Sequence, residues 1–166
     1  MATAVLAKQR QMTVLSTTRN PDKAAALTAV GADHVLIDDG DVANQVRAIA
    51  PQGVDMALEL VGVPTLPDTL RSVRVHGVVC FTGMLSNQWI VHDFYPIDYL
   101  PRGVRLAAYS GGAEDLPGSV LQEFLDAVAA GDAAVPIDHV YAFDEIVDAH
   151  AALEAGRGTG KLVVTT

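Results

Sequence analysis

The chain has 166 residues, 50% of them hydrophobic and 19% charged, with a formal net charge of −9. That length supports one domain with a real core, and the apolar share excludes a disordered chain, which needs low hydrophobicity and high charge. The negative balance speaks against nucleic acid and against a membrane surface as partners, since binders of either usually carry a basic face. A single cysteine, Cys80, makes no internal disulfide and no cysteine-built zinc cage, and it fits a reducing cytoplasm. No apolar run reaches the ~18 residues of a membrane span. The first residues, Met1 to Lys8, lack the basic region that opens a signal peptide. There is no internal repeat and no low-complexity segment.

In chain order, Thr3 to Lys8 reads as the last turns of a helix without a convincing start. Met12 to Thr17 is predicted as the first strand. Asn20 can cap the next helix with Pro21 at its first position, where a missing N–H costs nothing. Ala24, Leu27 and Val30 give that helix its buried stripe, and Gly31 ends it. His34 to Ile37 is a second strand, followed by a turn over Asp38 to Gly40. Val42, Val46, Ile49 and Ala50 recur at helical spacing. Asp55 to Val61 is a third strand, Leu66 to Val73 a short helix, and Gly77 to Thr82 a fourth strand.

Leu85 to Pro101 has no clean period and reads as a long loop with a helical turn near Ile97 to Leu100. Val104 to Tyr109 is the fifth strand. Leu121, Phe124, Leu125 and Val128 mark a helix ended by Gly131. Ile137 to Tyr141 is a short strand, Asp144 caps a helix running to Ala155, and Leu162 to Val164 is the last strand. Strands alternate with helices and are rich in Val, Ile and Leu, the mark of a parallel sheet covered on both faces. No domain boundary is visible. The expectation is one α/β domain with a Rossmann-like, doubly wound parallel sheet, in which ligands meet the carboxyl ends of the strands.

Several segments together resemble one family. They are Thr-Thr-Arg-Asn-Pro-Asp-Lys (17–23), Val-Gly-Ala-Asp-His-Val (30–35) and Gly-Val-Asp-Met-Ala-Leu-Glu-Leu-Val-Gly (53–62). To these add Gly-Val-Val-Cys-Phe-Thr-Gly (77–83), Asp-Tyr-Leu-Pro-Arg-Gly-Val (98–104) and the ending from Ala149 to Val164. In order and spacing they resemble the cofactor-binding domain of the medium-chain dehydrogenase/reductases, within the zinc-binding dehydrogenase superfamily, and there the zinc-independent, quinone oxidoreductase-like branch. The resemblance covers essentially the whole chain. It implies an oxidoreductase that binds NADP(H) or NAD(H) and passes a hydride to quinones, enones or alcohol/ketone pairs, without zinc.

The resemblance also implies residue roles. Thr17, Thr18 and Arg19 lie where the adenosine ribose or its 2′-phosphate is held, and Lys23 is similar to the lysine that joins that site. Val61 and Gly62 end the strand that runs under the cofactor. Phe81, Thr82 and Gly83 lie beside the pyrophosphate and nicotinamide ribose, and Tyr109 and Ser110 near the nicotinamide ring. The strand at Val104 to Tyr109 is where family members often form homodimers by continuing the sheet. The residues agree in part: Thr17-Thr18-Arg19 stands where an NAD site would place a carboxylate, and an arginine can take a 2′-phosphate through charge-assisted hydrogen bonds. NADP(H) is the expected cofactor, with NAD(H) behind it.

One departure matters. The glycine-rich turn that brings the backbone close to a pyrophosphate is absent from residues 1–20. The family's first strand, which sits between those at Val14 and Met56, and its N-terminal catalytic barrel are missing as well. The expectation is therefore a partial dinucleotide-binding domain over 1–166, from a longer oxidoreductase or a truncated reading frame, which alone binds dinucleotide weakly or not at all. A catalytically dead Rossmann-like module for dimerisation or partner binding is the rival reading. A methyltransferase-like domain is a third, against which the ending Gly-Thr-Gly-Lys-Leu-Val-Val argues.

The remaining residues of interest have blander readings. Arg19 and Lys23 can be solvated charges at a helix start. Glu59 can be a general base or, in better accord with its apolar neighbours, a hydrogen-bonded structural acid. His34, His76, His92, His139 and His150 are scattered without metal-ligand spacing. His150 reads as packing or surface, and Cys80 as a small core residue rather than a nucleophile. Trp89, Phe94, Tyr95 and Tyr99 can line a pocket, form a subunit interface or cover a sheet edge. Gly156, Gly158 and Gly160 follow a helix and precede a strand, the wrong order for a dinucleotide turn, so they read as a connector.

Overall fold

The computed structural model describes residues 2–156 and 158–166. Its elements run α1 (Ala2–Gln9), β1 (Leu15–Thr18), α2 (Ala24–Ala29), β2 (His34–Ile37), α3 (Val42–Ile49), β3 (Val54–Glu59), α4 (Leu66–Ser72), β4 (Val73–Phe81), α5 (Pro96–Tyr99), β5 (Arg105–Ala108), α6 (Gly118–Ala130), β6 (Ile137–Ala142), α7 (Ile146–Glu154) and β7 (Lys161–Thr165). Short 3₁₀ turns lie at Pro21–Lys23, Ala113–Asp115 and Phe143–Glu145. The expected alternation of strand and helix is met. The described strands divide among three sheets, β1-β2, β3-β4-β5 and β6-β7, and the pairs β3–β4, β4–β5 and β6–β7 are parallel.

The chain forms two units, Met1–Val35 with Leu116–Thr166, and Leu36–Asp115. In the first, Ala4 and Val5 of α1 pack with Val30, backed by Val14, Phe124 and Ala133. Asp33 ties this unit's start together: its carboxylate accepts the Val14 N–H at 2.7 Å and the Lys8 ammonium at 2.9 Å. Both donors hold its pKa below the ordinary value of 3.8, the Val14 N–H most strongly. In the β6–β7 pair, Asp138 accepts from the Thr159 hydroxyl and N–H, which lower its pKa, and Lys23 adds a weaker pull through its charge.

In the second unit, α4 lies against β3 and β4. Leu66, Leu70, Val73, Val79 and Val104 form its core, with Ala57, Phe81, Tyr99 and Leu100 packed around them. Leu70 and Val79 are wholly buried, each worth roughly 1.5–3 kcal/mol by transfer. Here β4 is longer than the sequence suggests. It starts at Val73 directly after α4, where the β-branched Val73 and Val75 favour extended backbone. The cost of that early start is a register shift against β3 between Val54 and Met56, with His76 in the left-handed region at φ 67°. Gly103 and Arg105 brace the shift, since Gly103 O accepts from His76 N at 3.0 Å and Arg105 Nη2 donates to His76 O at 2.6 Å. Cys80, expected in the core, is half-buried in β4.

Candidate functional site

The strands β3, β4 and β5 run parallel, so their carboxyl ends share one edge. Glu59 organises it. Its side chain turns back from the end of β3 and is 3% exposed. Oε1 accepts the N–H of Val61 at 2.7 Å, the N–H of Gly62 at 2.9 Å and the Thr65 hydroxyl at 2.9 Å, while Oε2 accepts the Thr69 hydroxyl. These bonds fold the β3–α4 connection over the strand end and satisfy a buried charge from four donors. Of the two readings of Glu59, the hydrogen-bonded structural acid is the one seen.

The β4 side is fastened to the same residue. Thr82 N and Gly83 N both donate to the Glu59 carbonyl, at 3.1 and 3.0 Å, and Leu85 N and Ser86 N donate to Leu60 and Val61 carbonyls. Gly83 passes so close to Leu60 that a Cβ would fall 2.5 Å from its Cα and 2.7 Å from its carbonyl carbon. Gly62 has φ +116°, and a Cβ there would meet Ser86 Oγ at 3.0 Å. Val61, Gly62, Phe81, Thr82 and Gly83 thus gather at adjacent strand ends. The backbone donors of Val61, Gly62, Thr82 and Gly83 are already engaged inside the protein. The hydroxyls of Thr82 and Ser110 make no hydrogen bond among the described residues.

Tyr109 follows β5 on this edge, its N–H donating to Phe81 O at 3.0 Å. Its hydroxyl donates to Asp115 Oδ2 at 3.3 Å, and the same oxygen accepts Gly112 N at 3.0 Å. Burial and the Asp115 charge push its pKa above the ordinary value. Tyr99 lies in the core under the same edge, edge-on to Phe94 at 5.1 Å. Its hydroxyl is buried without a partner among the described residues. Of the four aromatics left open by the sequence, Tyr99 is a packing residue, whereas Trp89, Phe94 and Tyr95 are exposed.

A second group sits at the end of β1. Thr17 is exposed, and the Thr18 hydroxyl closes a local turn with Asn20, donating to its carbonyl and accepting its N–H. Asn20 Oδ1 accepts the Asp22 N–H at 2.9 Å with Pro21 next, the cap read from the sequence, although the first turn is 3₁₀. The Arg19 side chain is exposed and pairs with no described residue. Lys23 is half-buried, close enough to Asp138 to lower its pKa. Thr17, Thr18 and Arg19 follow one another at the end of β1 with Lys23 in the next turn, toward Asp138, and the strand ends bring Val61, Gly62, Phe81, Thr82, Gly83, Tyr109 and Ser110 to one edge. Neither pattern nor spacing signalled the Tyr109–Asp115 and Asp138–Thr159 pairs.

A model of the family described as zinc-binding dehydrogenase matches residues 30–164. The chain belongs to the zinc-binding dehydrogenase family. Among curated relatives, this family member is 34% identical over 76 residues to the "Probable quinone oxidoreductase" of Leishmania amazonensis, across 45% of this chain and 22% of that protein. Among solved structures it is similar to AibC (27% identity, TM-score 0.81), covering 99% of this chain and 45% of that one. It is also similar to mycobacterial Rv1454c complexed with NADPH (25%, TM-score 0.80), covering 98% and 52%. A structure titled NAD-dependent alcohol dehydrogenase, at 20% identity and TM-score 0.84, shares the fold. The chain spans about half the length of these solved relatives, and less of the curated one. They support the Rossmann-like reading of its parallel α/β units. Despite the family's description, no group of three or more His, Cys, Asp or Glu among the described residues could hold a metal ion.

Proposed function

We propose that this chain is the nucleotide-binding portion of an NADP(H)-dependent oxidoreductase that reduces a quinone, an enone or a ketone. The observation that carries this reading is the gathering of Val61, Gly62, Phe81, Thr82, Gly83, Tyr109 and Ser110 along the carboxyl edge of one parallel sheet in a member of a dehydrogenase family. Gly62 and Gly83 let the ends of β3 and β4 close up beneath the ribose and ring of a bound cofactor. The Thr82 and Ser110 hydroxyls are the groups left to bond them.

At the adenosine end, Arg19 with Thr17, Thr18 and Lys23 would hold a 2′-phosphate by charge-assisted bonds. No carboxylate ends β1 to prefer the free ribose of NAD(H). The nicotinamide ring, when bound, supplies the hydride from its C4. The chain's own share is orientation: Tyr109, held by Asp115, walls the edge, and Glu59 fixes the strand ends. No residue of the chain is assigned a proton, and no step uses zinc.

The engaged N–H groups at Val61, Gly62, Thr82 and Gly83 leave the pyrophosphate few donors on this edge. The isolated chain is therefore inactive and holds NADPH weakly. The test is a fluorescence titration of the 166-residue chain with NADPH: no saturation at micromolar concentration is expected, and micromolar affinity overturns that claim. The exposed outer edge of β5 favours a second role in the cytoplasm, a homodimer built through the strand at Val104 to Tyr109. Sedimentation of the chain with and without Leu106→Lys tests it.

A further inference from the structure

The amino ends of β3, β4 and β5 carry all the lysine and arginine charge of the second unit. Its five cations there are Arg47, Arg71, Arg74, Arg102 and Arg105. Arg47 and Arg71 sit in the last turns of α3 and α4, Arg74 and Arg105 at the starts of β4 and β5, and Arg102 just ahead of β5. The opposite strand ends carry Glu59, Glu114 and Asp115. Among the described residues only Asp55 and Asp68 pair with these cations, through Arg74 and Arg71. Arg47 is fixed instead by the carbonyls of Pro51, Arg71 and Val73, and Arg105 by that of His76. Arg102 is exposed and its side chain donates to no described residue. Arg47, Arg102 and Arg105 therefore stand without a carboxylate.

This face is held in shape by its own backbone. Between the pairs Val54–Val73 and Met56–Val78, Arg74 to Gly77 stand opposite Asp55 alone and bow out of the sheet. Gly53 and Gly103 close on the bow: a Cβ on the first would fall 2.7 Å from Arg74 N, and one on the second 2.9 Å from Val75 Cγ1. β4 itself is paired on both sides. Val75, 53% exposed, and the exposed His76 lie beside the arginines.

We propose that this face docks a short acidic segment of a partner protein, with an apolar residue among its carboxylates. Guanidinium takes a carboxylate through two parallel hydrogen bonds, and every cation on the face is arginine. The Arg74–Asp55 pair, at 2.6 Å, already shows that match in place. Val75 offers the apolar contact between Arg74 and His76. Nucleic acid needs a longer basic track, and the chain's net charge of −9 confines attraction to this one end of the unit. The inference stands apart from the cofactor reading and does not need it.

The test is fluorescence anisotropy of the 166-residue chain with labelled acetyl-Glu-Glu-Leu-Glu-Glu-amide, beside its glutamine counterpart. Saturable binding is expected, weaker by at least roughly tenfold for the glutamine peptide and falling as salt screens the charges. Arg102→Glu should weaken it by roughly tenfold or more, since it turns an attraction into a repulsion. Arg102→Gln gives the same direction should the glutamate variant fail to fold. Arg10→Glu, the same charge change just after α1, should leave binding unchanged. Amide signals of His76, Gly103 and Arg105 should shift with peptide while those of Thr82 and Gly83 stay in place. Absence of saturable binding, equal binding of the glutamine peptide, or equal loss in Arg10→Glu and Arg102→Glu overturns the proposal. So does tighter binding of a single-stranded oligonucleotide of matched charge, which would give the face to nucleic acid.

Discussion

Glu59 Oε1 accepts the backbone N–H of Gly62 at 2.9 Å, so a buried carboxylate, rather than a bound anion, fills the turn at the end of β3. Removing it strands several donors at once. Glu59→Ala should cost about 3 kcal/mol in urea unfolding, since each orphaned buried donor costs ~1–3 kcal/mol and neighbours relax in part. Glu59→Gln keeps an acceptor for Val61 and Gly62 and should cost about half as much. An alanine variant as stable as the parent would remove Glu59 from its organising place.

Tyr99 carries the opposite imbalance. Its hydroxyl is buried with no partner, and burial, with the Glu59 charge behind it, raises its pKa above 10.0. Tyr99→Phe deletes an unpaired polar atom and should stabilise the chain by up to about 1 kcal/mol. The sign of the pH effect follows from the raised value: the neutral phenol is favoured in the folded state. That stability is whole below 10.0 and falls as pH rises through the raised value. The phenylalanine variant should lose this alkaline sag, which unfolding midpoints from neutral pH to above 10.0 will read.

Much of this was legible from residue patterns because the strands are short apolar runs punctuated by Gly and Pro. Asn20-Pro21 announced a helix start, and Val104 to Tyr109 announced a strand. What the pattern missed was long-range pairing. Asp33 looks like a loop residue until Val14 N and Lys8 are seen to converge on it. Leu66 to Val73 reads as helix and Gly77 to Thr82 as strand, yet Val73 already pairs with Val54, a long-range partner that joins the β-branched preference of Val73 and Val75 for extended backbone. Within the site, the positions at strand ends were readable, but the satisfaction of their N–H groups by Glu59 was not. Hydrogen-bond partners are set by the fold, not by spacing.

The Asp33 carboxylate predicts an acid-side effect. Its pKa is lowered, by the Val14 N–H first and then by Lys8, so its stabilisation is present above 3.8 and is lost as pH falls through the lowered value. Asp33→Asn should lower the unfolding midpoint at neutral pH and flatten the fall of stability on acidification. Salt should weaken the Lys8 share, which is solvent-exposed, more than the Val14 share. Parallel acid profiles for parent and variant would show that the pair does nothing for folding.

Arg19 can be tested without the pyrophosphate site. The fragment 2′,5′-ADP carries the adenosine with its 2′- and 5′-phosphates and no nicotinamide half. In heteronuclear NMR it should shift Thr17, Thr18, Arg19 and Lys23, and Arg19→Ala should weaken it by roughly tenfold, the worth of one charge-assisted contact. Adenosine 5′-monophosphate, lacking the 2′-phosphate, should bind more weakly to the parent and be indifferent to the substitution. Equal binding of both nucleotides would undo the preference for NADP(H).

Gly83 closes the edge by contact rather than by charge. An added Cβ would lie 2.5 Å from Leu60 Cα and 2.7 Å from its carbonyl carbon, and backbone cannot swing aside as a side chain can. Gly83→Ala must therefore push the β4 end away from β3. It should destabilise the chain by about 2–3 kcal/mol, as overpacking does. The movement would break the bonds from Thr82 N and Gly83 N to the Glu59 carbonyl, so those amides should exchange with solvent faster than in the parent while Val79 in the core stays protected. If Thr82 and Gly83 keep their protection in the variant, the close approach is not what joins the two strand ends.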